Sequence, residues 1–99
     1  GNSVSGDTWT ITLQCKIGTT ASAVSAVVVE AKTDGNFFQC YQATSAISDD
    51  KLTVTVTIDI GTMGSWGYIY DGDTFAIKVK ITLENGLTAE QVFNATYEG

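Results

Sequence analysis

The chain contains no histidine, no arginine and no proline. Each absence removes a class of function. Without histidine, no ordinary Ser/His or Cys/His relay can be assembled. With only two cysteines besides, zinc lacks its usual ligands. Five lysines stand against eleven acids, for a net charge of −6. Phosphate recognition needs clustered Lys and Arg, so nucleic acid is disfavoured as a partner, and so is an anionic membrane surface. The acidity serves solubility. No apolar run is long enough to span a bilayer, and no signal-peptide pattern is present.

What remains is rich in threonine, serine and valine. Threonine is at home on the exposed face of a strand. Many threonines, few lysines and no arginine suit an extracellular bacterial or phage module. At 99 residues the chain makes one domain, residues 1–99, with room for a real core. Cys15 and Cys40 each sit in a strand-like segment. They are candidates for a disulfide in a secreted domain, or else two buried thiols packing as small hydrophobes. Neither has a cationic neighbour type in the chain, other than lysine, to activate it as a nucleophile.

Residues 75–97 organise the rest. Phe75, Ile77, Val79, Ile81 and Leu83 alternate with Ala76, Lys78, Lys80, Thr82 and Glu84. Period-two alternation gives one apolar and one wet face, a half-buried strand. Asn85-Gly86 then signals a hairpin. A two-residue loop would set Phe93 against Lys78 and Tyr97 against Thr74. A three-residue loop, Glu84-Asn85-Gly86, sets Ile81 against Ala89, Ile77 against Phe93 and Phe75 against Ala95. The second register keeps the apolar residues together and is preferred. It requires Gly86 in the left-handed region, as in a type I turn with a G1 bulge.

Before the hairpin, residues 1–6 fray or add a short edge strand. Residues 8–17 form a strand with Trp9, Ile11, Leu13, Cys15 and Ile17 on one face. Residues 18–23 are a loop of small side chains. Residues 24–33 form a valine-rich strand, with Ser25, Val27, Val29 and Ala31 sharing a face. Asp34-Gly35-Asn36 is a turn. Residues 37–44 run back as a strand, with Phe38 and Cys40 on one face and Phe37, Gln39 and Tyr41 on the other. Residues 51–60 give the cleanest strand, with Leu52, Val54, Val56, Ile58 and Ile60 facing in. Residues 61–72 are too aromatic for a linker and too glycine-rich for a regular strand. About seven strands with no helical pattern predict an all-β fold, an antiparallel sandwich.

The step Tyr70-Asp71-Gly72-Asp73-Thr74-Phe75-Ala76-Ile77-Lys78-Val79 resembles the turn into the sixth strand of fibronectin type III and related immunoglobulin-like modules. There a Gly-x-x-aromatic step leads into an alternating strand. Phe75 stands at that family's tyrosine, and Trp9 near its second-strand tryptophan. The resemblance implies an immunoglobulin-like sandwich and carries over no binding site.

Candidate chemistry is sparse. The carboxylate pairs Asp71/Asp73 and Asp49/Asp50 lie in turn-like segments where Asp serves the backbone. No enzyme is expected. Asp71-Gly72-Asp73-Thr74 offers hard oxygens but lacks the length and closing glutamate of a calcium loop. No metal and no cofactor is expected. Asn94-Ala95-Thr96 matches the glycosylation tripeptide, a pattern common by chance.

Sugar binding is the sharpest expectation. Flat aromatic rings stack on the C–H faces of sugars, and polar side chains read the hydroxyls. If residues 61–70 are extended, alternation puts Trp66, Tyr68 and Tyr70 on one side, with Asp71 and Asp73 beside them. Phe37 and Tyr41 form a second, weaker patch. The competing reading makes Trp66 and the tyrosines core; Trp9, in phase with Ile11 and Leu13, is expected to be core. The sequence thus predicts a non-catalytic carbohydrate-binding module of a larger secreted polysaccharide-degrading protein. Its partner is a polysaccharide, and it is a monomer within a multi-domain, extracellular parent. The alternative is a structural or protein-interacting module: a spacer, adhesin or phage surface domain.

Overall fold

A computed structural model describes residues 2–4, 8–14, 16–17, 20–21, 23–33, 35–65 and 69–98. Two sheets face each other as a β-sandwich. The three-stranded sheet runs β2 (Thr8–Gln14), β8 (Thr53–Asp59), β7 (Ala43–Ile47). The five-stranded sheet runs β1 (Asn2–Val4), β10 (Thr88–Tyr97), β9 (Thr74–Leu83), β5 (Val24–Lys32), β6 (Phe38–Gln39). All pairings within these two sheets are antiparallel except β1 with β10. A two-stranded ribbon pairs β3 (Lys16–Ile17) with β4 (Thr20–Ala21); β4 falls in the stretch 18–23 expected to be loop, and β2, within the strand expected over 8–17, ends at Gln14.

The core follows the alternation. Val54, Val56 and Ile58 of β8 meet Phe75, Ile77, Val79 and Ile81 of β9 across the sandwich, with Ile11, Val29 and Ala95 beside them. The central hairpin has the three-residue loop. Leu83 N donates to Leu87 O at 2.9 Å and Gly86 N to Leu83 O at 3.0 Å. Gly86 sits at φ +88°, and the partners are Ile81–Ala89, Ile77–Phe93 and Phe75–Ala95. Burial chose the register and the glycine permitted it.

Three further expectations need correction. In β5 the face phase changes: a bulge between Val24 and Ala26 lets Val24 and Val29 both point in, while Ser25 turns out and donates to Thr82 O. Residues 37–44 are not one strand. β6 is two residues long, and a turn at Tyr41-Gln42 carries the chain to the other sheet. Residues 60–65 are not extended but form a helical turn, α1 (Ile60–Ser65). Asp59 caps it: Thr62 N donates to Asp59 Oδ1 at 2.9 Å, and Thr62 Oγ1 to Oδ2 at 2.6 Å. Ile60 and Met63 are buried by it.

Candidate functional site

Trp66 and Tyr68 lie outside the described residues, as does Cys15. The premise that residues 61–70 run extended fails over α1. The rest of the expected sugar site is described, and it is a turn. Asp73 N donates to Tyr70 O at 2.9 Å, and Gly72, at φ +88°, takes the third position. A glycine with positive φ there, after a residue with negative φ, defines a type II turn. Gly72 N also donates to Tyr97 O at 2.7 Å, and Tyr97 N to Asp73 O at 2.8 Å. The turn is therefore locked to the end of β10. Asp73 Oδ2 accepts the Tyr70 N–H at 2.9 Å, so one oxygen of this expected sugar reader holds the turn instead. Ile69 is anchored in the core, which throws Tyr70 outward, 67% exposed, next to the exposed Asp71.

The second patch divides. Phe37 does not sit beside Tyr41 on a common face. Its ring lies under Lys78 Nζ at 4.4 Å and Lys32 Nζ at 4.8 Å, two cation–π contacts that occupy it. Lys78 also reaches Glu30 at 3.9 Å. Phe38, expected inward with Cys40, is 71% exposed, while Cys40 is buried. With β6 only two residues long, strict alternation does not govern this stretch.

Among the described residues Tyr41 is the most exposed large apolar or aromatic side chain, at 80%. Its position is set on both sides by backbone bonds. Cys40 N donates to Val29 O at 2.9 Å, and Asp59 N donates to Gln42 O at 2.8 Å. Between these anchors the Tyr41 side chain stands between two clefts. One, of about 310 Å³, is mostly apolar, with Ala31, Phe38, Cys40, Met63 and Phe75 among its lining residues. The other, of about 510 Å³, is also mostly apolar in surface, with Thr8, Gln42, Thr44, Thr57, Asp59 and Thr62 among its lining residues.

Cys15, the expected disulfide partner, lies outside the described residues, and Cys40 is buried with a free thiol. It packs as a small hydrophobe, the other reading of this cysteine. Burial pushes the thiol pKa up, and the backbone N–H groups of Gln42 and Ala43 offset this only in part. Asp59, by contrast, is held below the usual carboxylate range by its bonds to the Thr62 hydroxyl and N–H.

Tyr41 and Tyr70 belong to the same end of the sandwich. Thr8 pairs with Asp59 at that end of the three-stranded sheet, and Trp9 touches Phe75 at the Thr74 end of the five-stranded one. Among the described residues no three acidic or cysteine side chains gather at one point. The sequence signal for α1 is Asp59, a residue type favoured at a helix N-cap. Nothing in the pattern separates Phe38 from Phe37, because the break in β6 depends on the chain crossing between sheets. Compared with protein-family models and with curated proteins, the chain matches none.

Proposed function

We propose that this protein is a non-catalytic carbohydrate-binding module for neutral glycans, part of a larger secreted polysaccharide-degrading protein. The observation that carries this reading is the pair of outward tyrosines, Tyr41 and Tyr70, at one end of the sandwich. Each is presented by a turn whose backbone is bonded into the sheets. With the backbone fixed, only the side-chain torsions of each tyrosine remain to be ordered on stacking, which favours affinity. Beside Tyr41 stands a mostly apolar cleft, to which Thr8, Gln42, Thr44 and Thr57 bring hydroxyl and amide groups that suit sugar hydroxyls. Trp66 and Tyr68 enter the proposal from the sequence, as further stacking residues on the segment joining α1 to Ile69. Tyr70 and Asp71 contribute at the turn.

The strand order supports an immunoglobulin-like assignment for the module. In that fold the second, fifth and fourth strands share one sheet, and the seventh, sixth and third share the other. Here β2-β8-β7 and β10-β9-β5 reproduce those two sets, with β6 added at the edge.

Two observations favour a second reading, a structural or protein-interacting module. Asp73 is engaged by its own turn, and β7 presents an uncharged sheet edge, Ala43–Ile47. Such an edge can accept another strand.

Affinity gel electrophoresis separates the two. Wild type, Tyr41→Ala, Tyr70→Ala and Trp66→Ala are run through gels containing barley β-glucan, xylan, galactomannan or hydroxyethylcellulose. Retardation by one polysaccharide, reduced in the tyrosine variants, supports the binding module. No retardation by any of them moves the function to the structural module.

A further inference from the structure

The outer face of the three-stranded sheet is a threonine lattice. Val54, Val56 and Ile58 point into the core, so Thr53, Thr55 and Thr57 of β8 point away from it. In β2 the same holds for Thr8, Thr10 and Thr12, which are exposed while Ile11 is buried. The register aligns these side chains across the strands. Thr10, Thr57 and Thr44 form one row, and Thr12, Thr55 and Ala46 the next. Hydroxyls in a row lie about 4.8 Å apart and successive rows about 6.6 Å apart, from strand spacing and rise.

Strand propensity alone would place threonine on a wet face. Three further observations point beyond it. The first is the absence of charge. In a chain of net charge −6, the described outward positions of this face carry one charged group, Asp59, at its end, and Asp59 is bonded to Thr62. The second is hydrogen-bond capacity. Thr62 and Thr74 spend their hydroxyls on Asp59 and Thr96, whereas those of Thr10, Thr12, Thr44, Thr55 and Thr57 have no side-chain bond to a described residue. The third is continuity with the stacking ring. Thr44 and Thr57, the first full row, line the cleft against Tyr41.

From this we infer that the face is an extended platform for a linear neutral polysaccharide chain, which stacks on Tyr41 and runs over the threonine rows. The inference rests on the glycan-binding reading above and gives it a ligand class: an unbranched, uncharged polymer longer than the cleft. A charged polymer finds no opposite charge along the threonine rows to pair with. A sugar confined to the Tyr41 cleft touches the Thr44–Thr57 row but not the Thr12–Thr55 row, which lies outside the cleft lining.

The test removes hydroxyls outside the cleft. Thr12→Val/Thr55→Val keeps the branched shape and the strand propensity; Thr12→Ser/Thr55→Ser keeps the hydroxyls. Both are compared with wild type and Tyr41→Ala on the polysaccharide gels, then by titration with oligosaccharides of the retarding polymer, from disaccharide to hexasaccharide. The platform predicts that wild-type affinity rises with chain length. It also predicts that the valine variant loses about tenfold for the hexasaccharide but not for the disaccharide, and that the serine variant retains binding. Equal hexasaccharide affinity in wild type and valine variant, with Tyr41→Ala impaired, overturns the platform and leaves the glycan reading standing. No retardation of the wild type by any polysaccharide overturns both.

Discussion

The indole of Trp9 meets the ring of Phe75 edge to face, with centroids 5.8 Å apart and planes at 89°. The two residues come from opposite sheets, and their contact closes the sandwich at the end that presents Tyr41 and Tyr70. Phe75 also lies at the base of the apolar cleft. Removing either ring is expected to cost about 3–5 kcal/mol, with Trp9→Ala at the lower end because Trp9 is only half-buried. A double-mutant cycle by urea denaturation should show a coupling of about 0.5–1.5 kcal/mol for the edge-to-face pair. Strict additivity would mean that the rings contribute only by separate burial.

Two backbone positions make opposite predictions. Gly86, at φ +88°, has open space where a Cβ would stand, so Gly86→Ala meets no clash. Its cost is conformational, about 1–2 kcal/mol. Lys51 adopts φ 60° in the β7–β8 turn, where its N–H donates to Ser48 O at 2.8 Å. Lys51→Gly should relieve a left-handed side-chain residue and gain up to about 1 kcal/mol. Its exposed ion pair with Glu84, at 3.7 Å, is too weakly held to reverse that sign. Denaturation midpoints of the two variants check both predictions.

Acid should loosen the ends of β8 before the core. Asp59 is held below its ordinary pKa by the Thr62 hydroxyl and N–H, and Asp50 by the Ser48 hydroxyl and the Leu52 N–H. A carboxylate with a lowered folded pKa gives stability above its unfolded value, and that stability is lost as pH falls through the folded one. Thermal midpoints should therefore fall as pH drops below the ordinary carboxylate range. The fall should be shallower in Asp59→Asn and Asp50→Asn. An unchanged acid limb in both variants would contradict this assignment.

The hairpin register was legible because one physical constraint, keeping Phe75, Ile77, Ile81, Phe93 and Ala95 on one side, decided between two loops. The same alternation placed Val54, Val56 and Ile58. What was not legible depends on events alternation does not encode. The bulge after Val24 shifts phase without changing composition. The crossing at Tyr41-Gln42 cuts a strand that the residue pattern shows as continuous. α1 is short and carries two glycines, so its capping by Asp59 was its one signal. Of the candidate site, Tyr70 is exposed, but through its turn and not through alternation along an extended 61–70; Asp73 serves that turn, and Phe37 is claimed by Lys32 and Lys78.

Cys40 should be inert in the folded protein. Its thiol is buried, and its pKa is raised. In a Cys15→Ser background, a thiol reagent at mildly alkaline pH should label Cys40 only in denaturant. Fast stoichiometric labelling without denaturant would show that the apolar cleft opens to Cys40.

The central claim is that Tyr41 is a stacking ring and not a structural one. At 80% exposure its removal should change stability by no more than about 0.5 kcal/mol. The most direct measurement is the mobility of wild type and Tyr41→Ala in gels with and without neutral polysaccharide, alongside their thermal midpoints. The account predicts retardation of the wild type by at least one polysaccharide, loss of most of it in Tyr41→Ala, and matching midpoints. Equal retardation of the two proteins, or none of either, would contradict it.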